Sequence, residues 1–134
     1  VYRLRRSYIA IGDIELMGLR GFEHHFPYEL SGGMQQRVQL AKVMANNPRV
    51  LLLDELTTGL DVSVQAGVLD LVRELQEQLH IAMVVVSHDL GVIRLLAGRT
   101  MVMKDGQVVE SGLTDQVLED PHHPYTQLLV ASMT

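Results

Sequence analysis

Short clusters in this chain combine residue types suited to handling a phosphate. Asp54-Glu55 closes one apolar run, Ser87-His88-Asp89 closes another, and Ser31-Gly32-Gly33 precedes a run of helix formers. Adjacent carboxylates at a strand end can divide labour. One can hold a hydrated Mg²⁺, which prefers oxygen ligands and keeps several waters; the other can orient or deprotonate a water. A histidine on a neighbouring strand end can donate a hydrogen bond to a phosphoryl oxygen. At the glycine turn, Ser31 is a good N-cap, and Gly32 and Gly33 let a bulky anion approach the backbone. The first amides of a helix lack internal partners and sit at the positive end of its dipole, which suits a phosphate. Taken singly, each cluster has a plainer reading, as a strand meeting solvent or as helix punctuation. In this order and together they favour a phosphate site.

The elements that must position these groups follow from periodicity. From Met34 to Asn46 the spacing of Val38, Leu40, Ala41, Val43 and Met44 is helical, and Asn46-Asn47-Pro48 ends it. Val50 to Asp54 reads as a strand buried on both faces, as in a parallel sheet. Thr57 to Asp61 is a polar turn around Gly59. Ser63 to Leu79 is a long helix with Val64, Val68, Leu71, Val72, Leu75 and Leu79 on one face and Glu74 with Gln78 on the other. Ile81 to Val86 is a second buried strand, rich in valine. Ligands of open α/β sheets gather where such strands end.

The flanks are plainer. Ile14, Leu16, Met17 and Leu19 predict a short amphipathic helix ending near Gly21, and Phe22 to Glu29 a connection in which Pro27 fixes the approach to Leu30. His24 and His25 would point apart on a helix and read as solvated loop residues. Leu90 to Ala97 predicts a short helix, and Thr100–Met103 with Gln107–Glu110 a hairpin turning at Asp105-Gly106. Thr114 to Leu118 is a helix capped by Thr114, and Pro124 starts a last helix, Tyr125 to Ser132. His122 and His123 read as a surface turn, the methionines as core filler. Helix and strand alternate through the middle, so the fold class is α/β with a parallel sheet.

Composition sets the outer bounds. The chain has 134 residues, 47% of them apolar and 20% charged, which describes one small folded domain or part of a larger one. The formal charge of -5 and the lack of a basic run argue against a nucleic-acid partner. There are no cysteines, so disulfides and thiolate metal sites are excluded, in keeping with the cytoplasm. No apolar run reaches the ~20 residues of a spanning helix. The chain opens at a valine and reads as a fragment.

With these residues in view the chain resembles the ATP-binding cassette (ABC) ATPases. Leu30 to Gln36 is similar to their signature motif, Val50 to Asp54 to the Walker B strand, and Glu55 stands in the place of the catalytic glutamate. Thr58-Gly59-Leu60-Asp61 resembles the D-loop and Ser87-His88-Asp89 the switch-histidine segment. The resemblance runs from about residue 14 to the C-terminus. Within the family, Gln107 to Gly112 and His122-His123-Pro124-Tyr125-Thr126 resemble the tail of the peptide and nickel importers and, most of all, the cassette of the carbon–phosphorus lyase (phosphonate) system. It implies a RecA-like (P-loop NTPase) sheet with helices: residues 1–48 as a remnant of the helical signature subdomain and 49–134 as the C-terminal part of the core.

The resemblance also implies roles. Asp54 would hold Mg²⁺, and Glu55 and His88 would act on ATP; Ser31, Gly32, Gly33, Gln35 and Asp61 would reach the nucleotide of a second cassette in a homo- or heterodimer. Membrane permease subunits would be the other partners, at the inner face of the cell membrane. Two departures stand out. No GxxxxGK[ST] loop occurs, so the principal grip on the β- and γ-phosphates is missing and these residues alone are expected to be inactive. Leu56 replaces a family proline that would restrain Glu55. The alternatives are a non-catalytic truncated cassette that modulates full-length partners, and a chromosome-maintenance or repair ATPase, disfavoured by the absence of heptad arms and by the acidic charge.

Overall fold

The computed structural model describes residues 2–4, 7–9, 17–21 and 31–133. It divides into two compact units, Val1–Val84 and Val85–Thr134.

The first unit opens with an antiparallel pair, β1 (Tyr2–Leu4) and β2 (Ser7–Ile9). The helix expected around residue 17 is instead a turn where it is described: Met17 to Gly21 is not helical. Gly18 (φ 67) and Gly21 (φ 91) are left-handed, which breaks a helix, while Met17 and Leu19 are fully buried. Ile14 and Leu16, the connection Phe22–Glu29 with His24, His25 and Pro27, and Leu30 lie outside the described residues.

Helix α1 (Gly32–Met44) buries Val38, Leu40, Ala41 and Met44 of the predicted spacing, while Val43 is exposed. It stops where Asn47 turns left-handed (φ 49) before Pro48. Strand β3 (Val50–Asp54) follows, then helix α2 (Val62–Leu79) and strand β4 (Ala82–Val86), which pairs with β3. The β3–α2–β4 crossover gives the parallel arrangement expected of an α/β fold. On α2, Val68, Leu71, Val72 and Leu75 form the buried stripe. Glu74 and Gln78 sit on the solvent side, where Gln78 Nε2 donates to Glu74 Oε1 over 3.0 Å. Each fully buried leucine or valine contributes roughly 1.5–3 kcal/mol.

The expectation that both strands are buried on both faces is corrected. Along β3 burial alternates: Leu51 and Leu53 are covered, while Val50 and Leu52 are 59% and 63% exposed. On β4, exposed and half-buried residues alternate. A run of apolar residues says that a strand can be covered twice; among the described residues β3 is covered on one face only.

The second unit holds α3 (Leu90–Leu96), an antiparallel hairpin of β5 (Arg99–Lys104) and β6 (Gln107–Leu113), and two short helices, α4 (Thr114–Glu119) and α5 (Pro124–Ala131). The hairpin turns at Asp105 (φ 51) and Gly106 (φ 75), both left-handed, as an Asp-Gly pair allows. A register irregularity between Val102 and Met103 lies within it. Val92, Ile93, Leu96, Val117 and Leu118 are buried. Thr114 is not the cap of α4; Leu113 occupies that position without a side-chain bond, and the Thr114 hydroxyl instead pairs with that of Thr100 at 2.7 Å. The hydroxyl is drawn sideways to the neighbouring strand because Thr114 is buried.

Candidate functional site

In the first unit the sequence-predicted groups lie at the beginnings of helices and at the end of β3. Ser31 is the N-cap of α1: its Oγ accepts from the Met34 amide at 3.3 Å, and its carbonyl accepts from the Gln35 amide at 2.9 Å. That leaves the Gly32 and Gly33 amides at the head of the helix, where no intrahelical partner exists. Gly32 and Gln35 are exposed, but Gly33 is buried. A Cβ on Gly33 would run into Val64 Cγ1 of α2, and one on Gly32 would lie 3.0 Å from the Leu60 side chain. The close approach that demands Gly33 is therefore to a neighbouring helix.

Asp61 is the N-cap of α2, accepting from the Val64 amide at 3.0 Å and the Ser63 hydroxyl at 2.9 Å. The Val64 amide, then the Ser63 hydroxyl, hold its carboxyl below the usual range. The loop ahead of it is tied by Gln65, whose Nε2 donates to the carbonyls of Thr57 (3.1 Å) and Leu60 (3.0 Å). Through Leu60 and Val64 the structure thus brings the Ser31–Gly33 turn and the Asp61 cap side by side.

Asp54 is exposed at the last position of β3. Glu55 follows in a left-handed conformation (φ 53), with its Oε2 accepting from the Thr58 hydroxyl at 3.1 Å. The Glu55 carbonyl accepts from the Thr58 amide at 3.2 Å. A proline at position 56 would restrict the backbone of Glu55, and Leu56 leaves this bend free of that restriction. Among the described residues no group of three or more His, Asp or Glu is gathered as a metal site. Asp54 offers one exposed carboxylate, which suits a cation that keeps most of its waters.

His88 belongs to the second unit, exposed in the bend that follows β4. Its neighbours are spent on structure: Ser87 Oγ accepts from the Asp89 amide at 3.0 Å, and Asp89 caps α3 by accepting from Gly91 (2.8 Å) and Val92 (3.4 Å).

Sequence reading passed over Arg37, Gln65 and Glu110. Glu110 Oε1 and Oε2 accept from the amides of His122 (2.8 Å) and His123 (3.1 Å), at the entrance to α5. The Thr126 hydroxyl beside it, then the His122 amide, hold its carboxyl down to about 2. That hydroxyl is buried, and no hydrogen bond of good geometry reaches it. His123 is the cap of α5, its Nδ1 accepting from the Tyr125 amide at 3.0 Å. The signal for Gln65 was its place four residues after the capping Asp61; Arg37 and Glu110 act over distances in sequence that no local pattern reports.

Comparison with known proteins agrees with this geometry. The ABC transporter family matches residues 6–58, and the oligopeptide/dipeptide transporter C-terminal region matches residues 109–134. The chain belongs to the ABC transporter ATPases. Its tail is similar to the C-terminal region of the oligopeptide/dipeptide transporters, and the relatives the chain matches include phosphonate and peptide proteins. It is 64% identical over 107 residues to the putative phosphonates utilization ATP-binding protein PhnK of Escherichia coli, covering 80% of this chain and 42% of that one. Among solved structures it resembles cbiO1 of Clostridium perfringens, part of the ABC transporter complex cbiONQ (TM-score 0.75, 30% identity, 81% of this chain and 43% of that one). It also resembles the ATP-binding cassette MJ0796 in a dimeric post-hydrolysis state bound to ADP and Pi (TM-score 0.65, 35% identity, 78% and 45%). The chain spans less than half the length of each of these.

Proposed function

We propose that this chain is the C-terminal part of the ATP-binding and ATP-hydrolysing subunit of an importer-type ABC transporter, serving phosphonate or peptide uptake. The observation that carries the reading is the packing of the Ser31–Gly33 helix start against Leu60 and Val64, beside the Asp61 cap. It sets a helix N-terminus suited to a phosphate next to the loop that leads from Asp54 and Glu55. Residues 1–48 then belong to the helical subdomain and 49–134 to the RecA-like core.

In this reading Glu55 orients the attacking water, His88 donates to a phosphoryl oxygen and Asp54 holds the cation. Mg²⁺, when bound, neutralises charge on the phosphoryl oxygens. Ser31, Gly32, Gly33, Gln35 and Asp61 face the nucleotide held by a second cassette. The partners are that cassette, in a homo- or heterodimer, and membrane permease subunits at the cytoplasmic face; no nucleic acid is involved. Among the described residues no helix is long and apolar enough to cross a membrane.

The 134 residues contain no GxxxxGK[ST] loop. Alone they are expected to hydrolyse no ATP above background. Mixed with a complete phosphonate-type cassette, they are expected to associate only when ATP is present. Turnover by the isolated chain that Glu55→Gln abolishes would contradict the first expectation, and nucleotide-independent association the second. The alternative reading is a non-catalytic module that modulates complete cassettes. A change in the complete cassette's turnover on adding this chain, undiminished in Glu55→Gln, would select it.

A further inference from the structure

Arg37 spends its charge on main-chain oxygen. Its Nη1 donates to the Met17 carbonyl at 3.1 Å and its Nη2 to the Gly67 carbonyl at 3.3 Å, both partly buried. Two glycines frame the guanidinium: a Cβ on Gly18 would stand 3.2 Å from Nη1 and one on Gly67 would stand 3.5 Å from Nη2. Gly18 is also left-handed, so a side chain there is strained as well as crowded. A planar fork with fixed donor directions can bridge two carbonyls on different elements; an ammonium on a flexible stem is a poorer bridge.

The place of this bridge gives it meaning. Gly33 touches Val64, and Arg37, one helical turn further along α1, reaches Gly67, one turn further along α2. These are successive rungs between the opening turns of two helices. The first helix begins with the Ser31 cap and the second with the Asp61 cap.

We infer that Arg37 is a positioning residue: it locks the heads of α1 and α2 into one plate, so that the Ser31–Gly33 turn and Asp61 are presented together to the partner's nucleotide. The plate follows from the geometry of the first unit, and its use rests on the function proposed above. Arg37 itself touches no nucleotide in this scheme. Small misplacements of positioning groups are costly where several must engage one ligand at once.

The test uses the whole chain, which has no cysteine, so that single labels can be placed on Gln39 of α1 and Asp70 of α2, both exposed. Electron–electron distance measurements should give one narrow distribution for the parent. Arg37→Gln should broaden it, and Arg37→Lys should fall between. An unchanged distribution in Arg37→Gln would overturn the plate, and Arg37→Lys answers the same question if the glutamine variant does not fold. In the second arm, ATP-dependent association with a complete phosphonate-type cassette should weaken about tenfold in Arg37→Gln and be partly restored in Arg37→Lys. Unchanged affinity beside a broadened distribution would overturn the positioning role. If the parent chain does not associate at all, the proposed function and this role in it fail together, while the distance arm still decides whether the plate exists.

Discussion

Gly33 and Val64 occupy the same space in different helices: the side chain that one residue lacks is supplied by the other. Because the clash involves a β-branched side chain near its own backbone, it cannot be relieved by swinging a flexible end aside. Gly33→Ala is expected to destabilise the chain by roughly 1–3 kcal/mol, as overpacking does. The double variant Gly33→Ala/Val64→Ala should recover most of that loss, read as a favourable coupling in urea-unfolding midpoints. Additive losses would mean that Gly33 matters for something other than α2.

The C-cap of α2 offers a change of opposite sign. His80 adopts φ 50 and ψ 35, a left-handed pair that costs a side-chain-bearing residue and is free for glycine. It is exposed, so little packing is lost with the imidazole. His80→Gly should raise stability by roughly 0.5–1 kcal/mol, visible as a higher urea midpoint with an unchanged slope.

Leu56 bears on Glu55 directly. Glu55 sits at φ 53 with its carboxylate held by the Thr58 hydroxyl. Leu56→Pro would push residue 55 toward extended backbone. The expected outcome is loss of the Thr58–Glu55 contact and a shift of the Glu55 Cα and Cβ resonances toward extended values. Unmoved resonances would show that residue 56 does not set this bend.

How much of this was legible beforehand differs element by element. The segment Val50–Asp54 announced a strand, since four apolar residues between a basic residue and two acids admit little else. Which faces would be covered was not written there, because coverage depends on what lies above and below, and Leu52 is open. Ser31 was legible as a cap, since a cap is a local bond; Asp61 obeys the same rule but reads only as the end of a polar turn. Thr114 met the same rule and broke it, because a burial partner 14 residues away claimed its hydroxyl. Arg37 was beyond any local rule: its acceptors are carbonyls 20 and 30 residues distant, and carbonyls have no residue type to recognise.

The lowered carboxyl of Glu110 makes a pH prediction. Its pKa falls from 4.5 to about 2 on folding, so the folded chain binds fewer protons than the unfolded chain between those values. Its contribution is therefore complete above the unfolded value and is lost as pH falls through that window toward about 2. Asp61, also lowered, adds to the same acid limb. Glu110→Gln keeps the shape but removes the charge that the His122 and His123 amides hold, loosening the entrance to α5. At neutral pH the variant should be less stable than the parent. Its urea midpoint should change less between pH 5 and pH 2 than the parent's, so that the two curves converge on acidification, leaving the part due to Asp61. Curves that stay parallel to pH 2 would mean that the Glu110 carboxylate is not held by this turn in solution.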